Sequence, residues 1–372
     1  MTKLSLAELQ DLISAYVSAD KIAVTDLNVT KNNIVGLADK IGKIVTIDSM
    51  FKDKLAVFDG EDLSFGKTVE EYFQDLILPE EGATPGTNDE KVTKFFSPTY
   101  RPVAYSYTLG SKKFPISKPY NNIERAVHNI GQYERVVLDI TKRLFDSESS
   151  WKYGVKRQML ATLIKKCEDT ETTATTFAKA STYNEGTYLK DNSSNYGVAV
   201  VKITANTYNT YDDAVNAGAI INLKFVTTIA KPTDTASGES FIKQLKNDVE
   251  IASDESEGYS LNGNTIGSVE DSLYLLVKQG VMPSLEVDTQ AGAFHADKVA
   301  LPAKHIVIKD FGDNNTGVYA MLVDVRGLRL HPGYRAVRDF ENGYNDFISY
   351  FLHNEFTAFI SRNTFVKIYK SE

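Results

Sequence analysis

"KKFPISKPYNNIERAVHNIGQYERVVLDITKRLF", residues 112–145, changes its periodicity midway, from the alternation of a strand to the threes and fours of a helix. In the second half Ile123, Val127, Ile130, Val137, Ile140 and Leu144 form one apolar stripe behind an Asn cap, which predicts an amphipathic helix. Arg135, Asp139 and Arg143 line the opposite face at i, i+4 spacing. Gly131 costs about 1 kcal/mol inside a helix, so the element is expected to kink there or to be two helices. "DSESS", residues 146–150, reads as a turn with capping character, after which "WKYGVKRQMLATLIKKC" resumes the helical period through Val155, Met159, Leu163 and Ile164.

Upstream, "FFSPTYRPVAYSYTLGSKKFPISKPY" (95–120) is rich in aromatic and β-branched residues, with Gly110-Ser111 where a two-residue hairpin turn would sit. Two long strands are expected there. Pro98, Pro102, Pro115 and Pro119 each remove a ladder donor, which suits edge strands or an arm standing away from a packed sheet. Before it, "EEGATPGTNDEK" (80–91) has the composition of an exposed loop. Residues 1 to about 50 read as short elements broken by polar residues, beginning with an amphipathic helix.

Downstream of the helices, "GVAVVKITA" (197–205) and "AIINLKFVTTIA" (219–230) are buried-strand candidates, and "SFIKQLKNDVEIAS" (240–253) is a helix candidate. "SLYLLVKQGV", "KHIVIKDF" and "GVYAMLVDVRGLRL" read as strands, and the aromatic block "YNDFISYFLHNEFTAF" leads to a closing strand, "TFVKIY". No repeat of 20 to 50 residues appears.

The bulk composition narrows the function. With 372 residues and 42% hydrophobic content the chain can bury one large core or two ordinary ones. Its net charge of −8 is the reverse of what general binding to a nucleic-acid backbone favours. Cys167, the only cysteine, can make no intramolecular disulfide, which suits a reducing compartment. The opening residues lack the pattern of a secretory leader, and no run approaches 18 apolar residues, so no membrane contact is expected. The sequons at Asn28, Asn192 and Asn314 are accordingly read as polar turns.

No motif carries chemistry. Gly66-Lys67-Thr68 ends like a phosphate-binding loop, but Gly60 is six residues before Gly66 where the loop needs five. Thr68 with Glu71 reads instead as a capping box, opening a helix through Val69, Tyr72, Phe73 and Leu76. His128, His295, His305, His331 and His353 are scattered, without metal-ligand spacing, and His295 with Asp297 reads as a polar turn. Cys167 reads as a packing residue, and adjacent acids such as Glu70-Glu71, Glu80-Glu81 and Asp212-Asp213 read as solvated faces. No catalytic, cofactor-binding or metal residue is assigned, and no cofactor is expected. One asymmetry remains: Lys152, Lys156, Arg157, Lys165 and Lys166, with no acid between Trp151 and Lys166, read as a wet helix face or a surface meeting nucleic acid.

The order of these elements resembles the major capsid protein of tailed bacteriophages, the α+β Hong Kong 97-type fold, with the closest likeness to short-tailed phages. The resemblance is carried by "FGKTVEEYFQDLI" (65–77), by 112–145 quoted above, and by "DSLYLLVKQGVMPSLEVDTQAGAFHADKVALPAKHIVIKDF" (271–311) with "AMLVDVRGLRL" (320–330). It implies an N-terminal arm and the start of the peripheral domain over 1–81, an extended loop over 82–119, and spine helices with peripheral domain over 120–204. An axial domain over 205–305 and return strands of the peripheral domain over 306–372 follow.

The implied function is structural: self-assembly into pentamers and hexamers of an icosahedral shell around double-stranded DNA, put together in the bacterial cytoplasm. The implied partners are sister copies, portal, scaffold and head-decoration proteins, and the packaged genome on the inner face without sequence specificity. The basic face at 152–166 would then be a candidate for facing that genome. Tyr100, Tyr105, Tyr107 and Phe114 on the ribbon become anchors that a neighbour covers. No lysine and asparagine pair for a covalent cross-link can be placed. The rival readings are a tail-tube or collar protein, a cytosolic enzyme and a cell-surface adhesin.

Overall fold

The computed structural model describes residues 51–63, 69–74, 100–104, 107–119, 130–192, 195–285, 301–312, 315 and 317–371. Its central layer is a mixed five-stranded sheet built on the most apolar runs of the chain. Strands β8 (Val226–Thr228), β9 (Leu273–Lys278), β10 (Lys304–Ile308), β11 (Val318–Asp324) and β14 (Val366–Lys370) lie in the order β10-β9-β11-β14-β8. β11, "VYAMLVD", is buried at every position, as a strand covered on both faces must be.

Alternation along these strands divides the core in two. Leu275, Val277, Ala320, Leu322 and Tyr369 face Phe241, Leu245 and Val249 of helix α3 (Thr235–Ser253). Leu276, Met321, Val323, Val366 and Ile368 face the other way, onto Met159, Leu160, Leu163 and Ile164 of helix α1 (Ile130–Thr173). The sheet is thus sandwiched between two helices. α3 starts where Asp234 caps the backbone N–H of Ser237 at 2.8 Å, a reciprocal capping box.

Helix α1 is longer and smoother than its sequence suggests. "DSESS" is no turn: the helix runs through it, with the Ser147 and Ser149 hydroxyls donating to the carbonyls of Arg143 and Phe145. Glu148 within that stretch is buried and holds the helix to a second sheet, so tertiary contact overrides the local breaker signal. Gly131 stands next to the first described residue of the helix, and no break separates the two expected helices between Ile130 and Thr173.

That second sheet has three strands, β3 (Tyr107–Pro119), β12 (Leu328–Asn342) and β13 (Phe347–Ile360), in the order β12-β13-β3. The hairpin turn expected at Gly110-Ser111 is therefore absent. Gly110, with φ +73°, lies inside one continuous strand at the irregularity where β13 passes from Glu355 to Thr357. Glu148 fastens this sheet to α1: its carboxylate accepts from the Asn354 amide at 2.6 Å and from the Arg335 guanidinium at 2.7 Å. Trp151 stands between Phe114 and Phe356, at centroid distances of 6.1 and 4.9 Å.

The helix expected from Thr68 is also corrected. Thr68 lies outside the described residues, but Glu70–Gln74 is a strand, β1, paired antiparallel with β2 (Tyr100–Ala104). Glu71 gives the reason. Its carboxylate accepts a 2.5 Å hydrogen bond from the hydroxyl of Ser361, a contact no local pattern encodes.

A fourth sheet, β4 (Thr175–Thr176), β5 (Tyr188–Lys190), β6 (Tyr196–Ala199) and β7 (Ile220–Asn222), packs with helix α2 (Tyr211–Asn216) around Leu189, Ala199, Tyr211 and Ile220. "GVAVVKITA" thus contributes a short strand, and "AIINLKFVTTIA" divides between this sheet and β8. The boundary expected at 305/306 does not separate two sheets, because β11 and β14 share a sheet with β8 and β9.

The segment before β1 is clamped to α1 by charge. Lys156 is fully buried, and its ammonium lies 2.6 Å from the carboxylates of both Asp53 and Asp59. Leu55 and Phe58 follow into the core beside Leu330. Lys156→Met should cost the unassembled subunit about 3 kcal/mol, since it leaves the largely buried Asp53 carboxylate, and the more exposed Asp59, without their cation. Urea denaturation measures it, and a loss below about 1 kcal/mol would mean the pair is idle. Burial holds the Glu71 carboxyl above its ordinary value of 4.5, opposed by hydrogen bonds from Ser361 and Asn363. A raised folded pKa contributes stability that is complete below the unfolded value and is lost as pH rises through the folded one. Glu71→Gln should therefore flatten the fall in stability of wild type between pH of about 4.5 and neutrality; equal slopes in thermal melts would refute the assignment.

Candidate assembly interface

The outlying feature of the described chain is the β12–β13 hairpin. Its turn is the four-residue loop Gly343–Asp346 of "ENGYND", closed by the Asn342–Phe347 pair. The Asn342 side-chain carbonyl accepts from the backbone N–H groups of Tyr344 (3.0 Å) and Asn345 (3.3 Å), and Asp346 takes the left-handed conformation at φ 51°. Fixed on that turn, Tyr344 is 96% exposed. An aromatic ring displayed on a hydrogen-bonded turn loses little conformational entropy when a partner covers it.

Tyr344 is not alone. Tyr334, Val337 and Phe340 on β12 are each more than half exposed, whereas elsewhere among the described residues the exposed large apolar side chains are Phe145 and Val201. The hairpin's two faces differ in charge and cover. Leu352, Asn354 and Phe356 point to α1 and are buried. The opposite face carries Ala336, Arg338 and Phe340 from β12, Ser349, Phe351 and His353 from β13, and Lys113, Pro115 and Ser117 from β3. Ser117 and Ser349 share a hydrogen bond of 2.7 Å. The Lys113 ammonium lies 4.9 Å from the Phe351 ring centre, and Arg338, opposite Phe351, donates to the Tyr334 hydroxyl at 3.2 Å.

Phe114 corrects the expectation of an aromatic arm covered by a neighbour. It is half-buried in the three-stranded sheet against Trp151 of its own chain. Tyr105 and the side chains of Tyr100 and Tyr107 lie outside what the structure describes. The exposed apolar set instead sits on β12 and its turn, where sequence reading took in only Leu328–Leu330 of the strand, although "YRAVRDFENGYND" shows its alternation.

The basic face at 152–166 is corrected as well. Lys156 is buried between Asp53 and Asp59; Arg157 pairs with Asp310; and Lys152 lies 3.4 Å from Glu148. Lys166 is partly buried, and burial lowers its pKa, helped by the positive charge of Arg362. Only Lys165 of the five is an exposed residue. Lys156 and Arg157 thus face acids brought from distant parts of the chain and Lys152 faces Glu148 one turn back, so the row is not a uniformly wet face.

Cys167 lies in the core with its thiol pKa pushed up by burial, a packing residue on α1. His305, His331 and His353 lie on β10, β12 and β13, while His128, His295, Asp297, Gly66, Lys67, Asn28 and Asn314 fall outside the described residues. Asn192 lies in a turn. Among the described residues no group of three His, Cys, Asp or Glu side chains could hold a metal ion, and no helix is long and apolar enough to cross a membrane.

Comparison with known proteins gives this geometry its setting. Residues 7–368 match the pattern of one family, Phi29-like phage major capsid protein. The fold is similar to a chain of the capsid structure of Staphylococcus phage Andhra, with a TM-score of 0.57 at 12% identity over 90% of this chain and 88% of that one. It is also similar to a chain in the structure of head fiber and inner core protein gp22 of native bacteriophage P68, at 0.54 and 12% identity over 88% and 87%. No curated protein matches the sequence. Likeness at such identity speaks to the fold alone, but the family pattern spans nearly the whole sequence and sets aside the tail-tube, collar and adhesin readings. The chain belongs to the Phi29-like family of phage major capsid proteins, a structural subunit of the virion with the α+β fold of tailed-phage capsids.

Proposed function

We propose that copies of this subunit close into pentamers and hexamers of an icosahedral shell around double-stranded DNA, assembled in the cytoplasm of a bacterial host. Scaffold, portal and head-decoration proteins are the further partners of that reading, and packaged DNA meets the inner surface without sequence specificity. The subunit's work is to cover and be covered, with no reaction step.

The observation that carries this reading is the concentration of exposed apolar side chains on the β12–β13 hairpin. In a monomer such residues are a liability; between copies they are the aromatic anchors that dominate interface energies, a few of them contributing 2 kcal/mol or more each. A subunit that tiles both five-fold and six-fold rings must meet its neighbours at slightly different angles. A hairpin braced by Glu148 and Trp151 gives the shared patch.

Purified protein imaged by electron microscopy tests the reading directly, because closed shells are distinct from rings, tubes and monomers. The double variant Phe340→Ser, Tyr344→Ser should lower shell yield at least about tenfold at equal subunit concentration, in keeping with loss of two anchors. The melting of the isolated subunit should stay close to wild type, since both side chains are exposed. Undiminished shells from this variant would contradict the role given to the hairpin.

A further inference from the structure

We infer that Asn342, at the turn of the β12–β13 hairpin, is a site of spontaneous deamidation in the folded subunit, losing its side-chain amide through a cyclic imide formed with the backbone nitrogen of Gly343. This goes beyond the shell reading and does not depend on it.

The sequence holds two Asn-Gly pairs, Asn262-Gly263 and Asn342-Gly343. A glycine after the asparagine lets such a ring close, because no Cβ crowds the attacking backbone nitrogen. The fold treats the two pairs differently. Gly263 is buried, its N–H donates to the Ser260 carbonyl at 3.1 Å, and the Asn262 amide donates to the Asn363 side-chain carbonyl at 2.6 Å. Attacking and leaving nitrogens are both held there, and the packed glycine keeps water away. At the hairpin Asn342 is half-buried and Gly343 is exposed, and the Gly343 N–H donates to no group among the described residues. Its nitrogen is open to solvent base.

The turn also supplies electrostatic help. Asn342 Oδ1 accepts from the backbone N–H groups of Tyr344 at 3.0 Å and Asn345 at 3.3 Å. When the Gly343 nitrogen gives up its proton and attacks Cγ of Asn342, that oxygen takes the negative charge, so the two donors stand where an oxyanion hole would. Collapse of the tetrahedral carbon breaks its bond to Nδ2, which leaves as ammonia after taking a proton from water. Water then adds to one or the other imide carbonyl, opening the ring to aspartate or to isoaspartate. Either product places a carboxylate near Glu341 and Asp346 in the sequence. The isoaspartyl form also adds a methylene to the loop and draws the carbonyl that held Tyr344 into the main chain.

Ageing the full chain in mildly alkaline buffer, followed by tryptic mass spectrometry with fragment spectra to locate the change, tests this. Amide-to-acid exchange, with isoaspartate among the products, should proceed at Asn342 at least about tenfold faster than at Asn262. In urea, where neither pair is held, the two sites should react at similar rates. Gly343→Ala should slow the reaction at Asn342 in the folded chain at least about tenfold by crowding the nitrogen. Nothing lies within 4 Å of the added Cβ, so its melting should match wild type. Equal rates at Asn342 and Asn262 in the folded chain would overturn the inference. So would an Asn342 amide that survives in the folded chain over the time in which it is lost in urea, or a Gly343→Ala chain that reacts like wild type.

Discussion

One buried stripe on α1 holds the described subunit together. From Leu144 and Glu148 through Lys156 to Met159, Leu160, Leu163, Ile164 and Cys167, the helix turns the same side to the interior for six turns. Along that line it meets the three-stranded sheet first and the five-stranded sheet afterwards, joining two layers that otherwise have separate hydrogen-bond ladders. Its first part holds by polar contacts and its second by apolar ones. Glu148 satisfies Asn354 and Arg335 where the sheet is narrow and partly wet; Met159 to Ile164 fill a dry core where the sheet is wide. A helix with this stripe intact can carry a hairpin far from the core without letting it swing.

Much of this was legible in the sequence wherever structure follows from local apolar content. The runs at 273–278, 318–324 and 366–370 became central strands because nothing but a doubly covered sheet can bury them, and the period of 240–253 became α3. The illegible parts all depend on residues far apart in sequence. "KTVEE" has the pattern of a cap, yet Glu71 is drawn to Ser361, 290 positions away. Gly110 suits a turn, yet β13 supplies a partner strand that makes it an irregularity in a ladder. Serines that would stop an isolated helix bond back to its carbonyls when Glu148 between them is buried.

The interface shows the same division. Sequence reading looked for stickiness in the proline-rich ribbon and for a free basic face on α1, and at Phe114 and Lys156, where the structure describes the side chains, the partners come from the same molecule. Phe114 has Trp151, and Lys156 has two aspartates. Exposure is a property of what the rest of the chain does not reach, and only the folded arrangement shows that β12 is left bare. What the sequence does contain is the device that fixes the bare strand, Asn342, whose side chain holds the turn that carries Tyr344. The stable interior and the sticky rim are therefore built by separate means. The first is dense packing around α1; the second is a hydrogen-bonded hairpin whose apolar side chains the rest of the described chain leaves exposed.

The most direct test of that account is oxidative footprinting of Tyr344 and Phe340 in the isolated subunit and in assembled shells. Covering by sister copies predicts rapid modification of both rings in the subunit and protection of at least about fivefold in the shell, with Trp151 slow in both. Equal modification of Tyr344 and Phe340 in the two states would show that shells close without using the hairpin, and the account would be wrong.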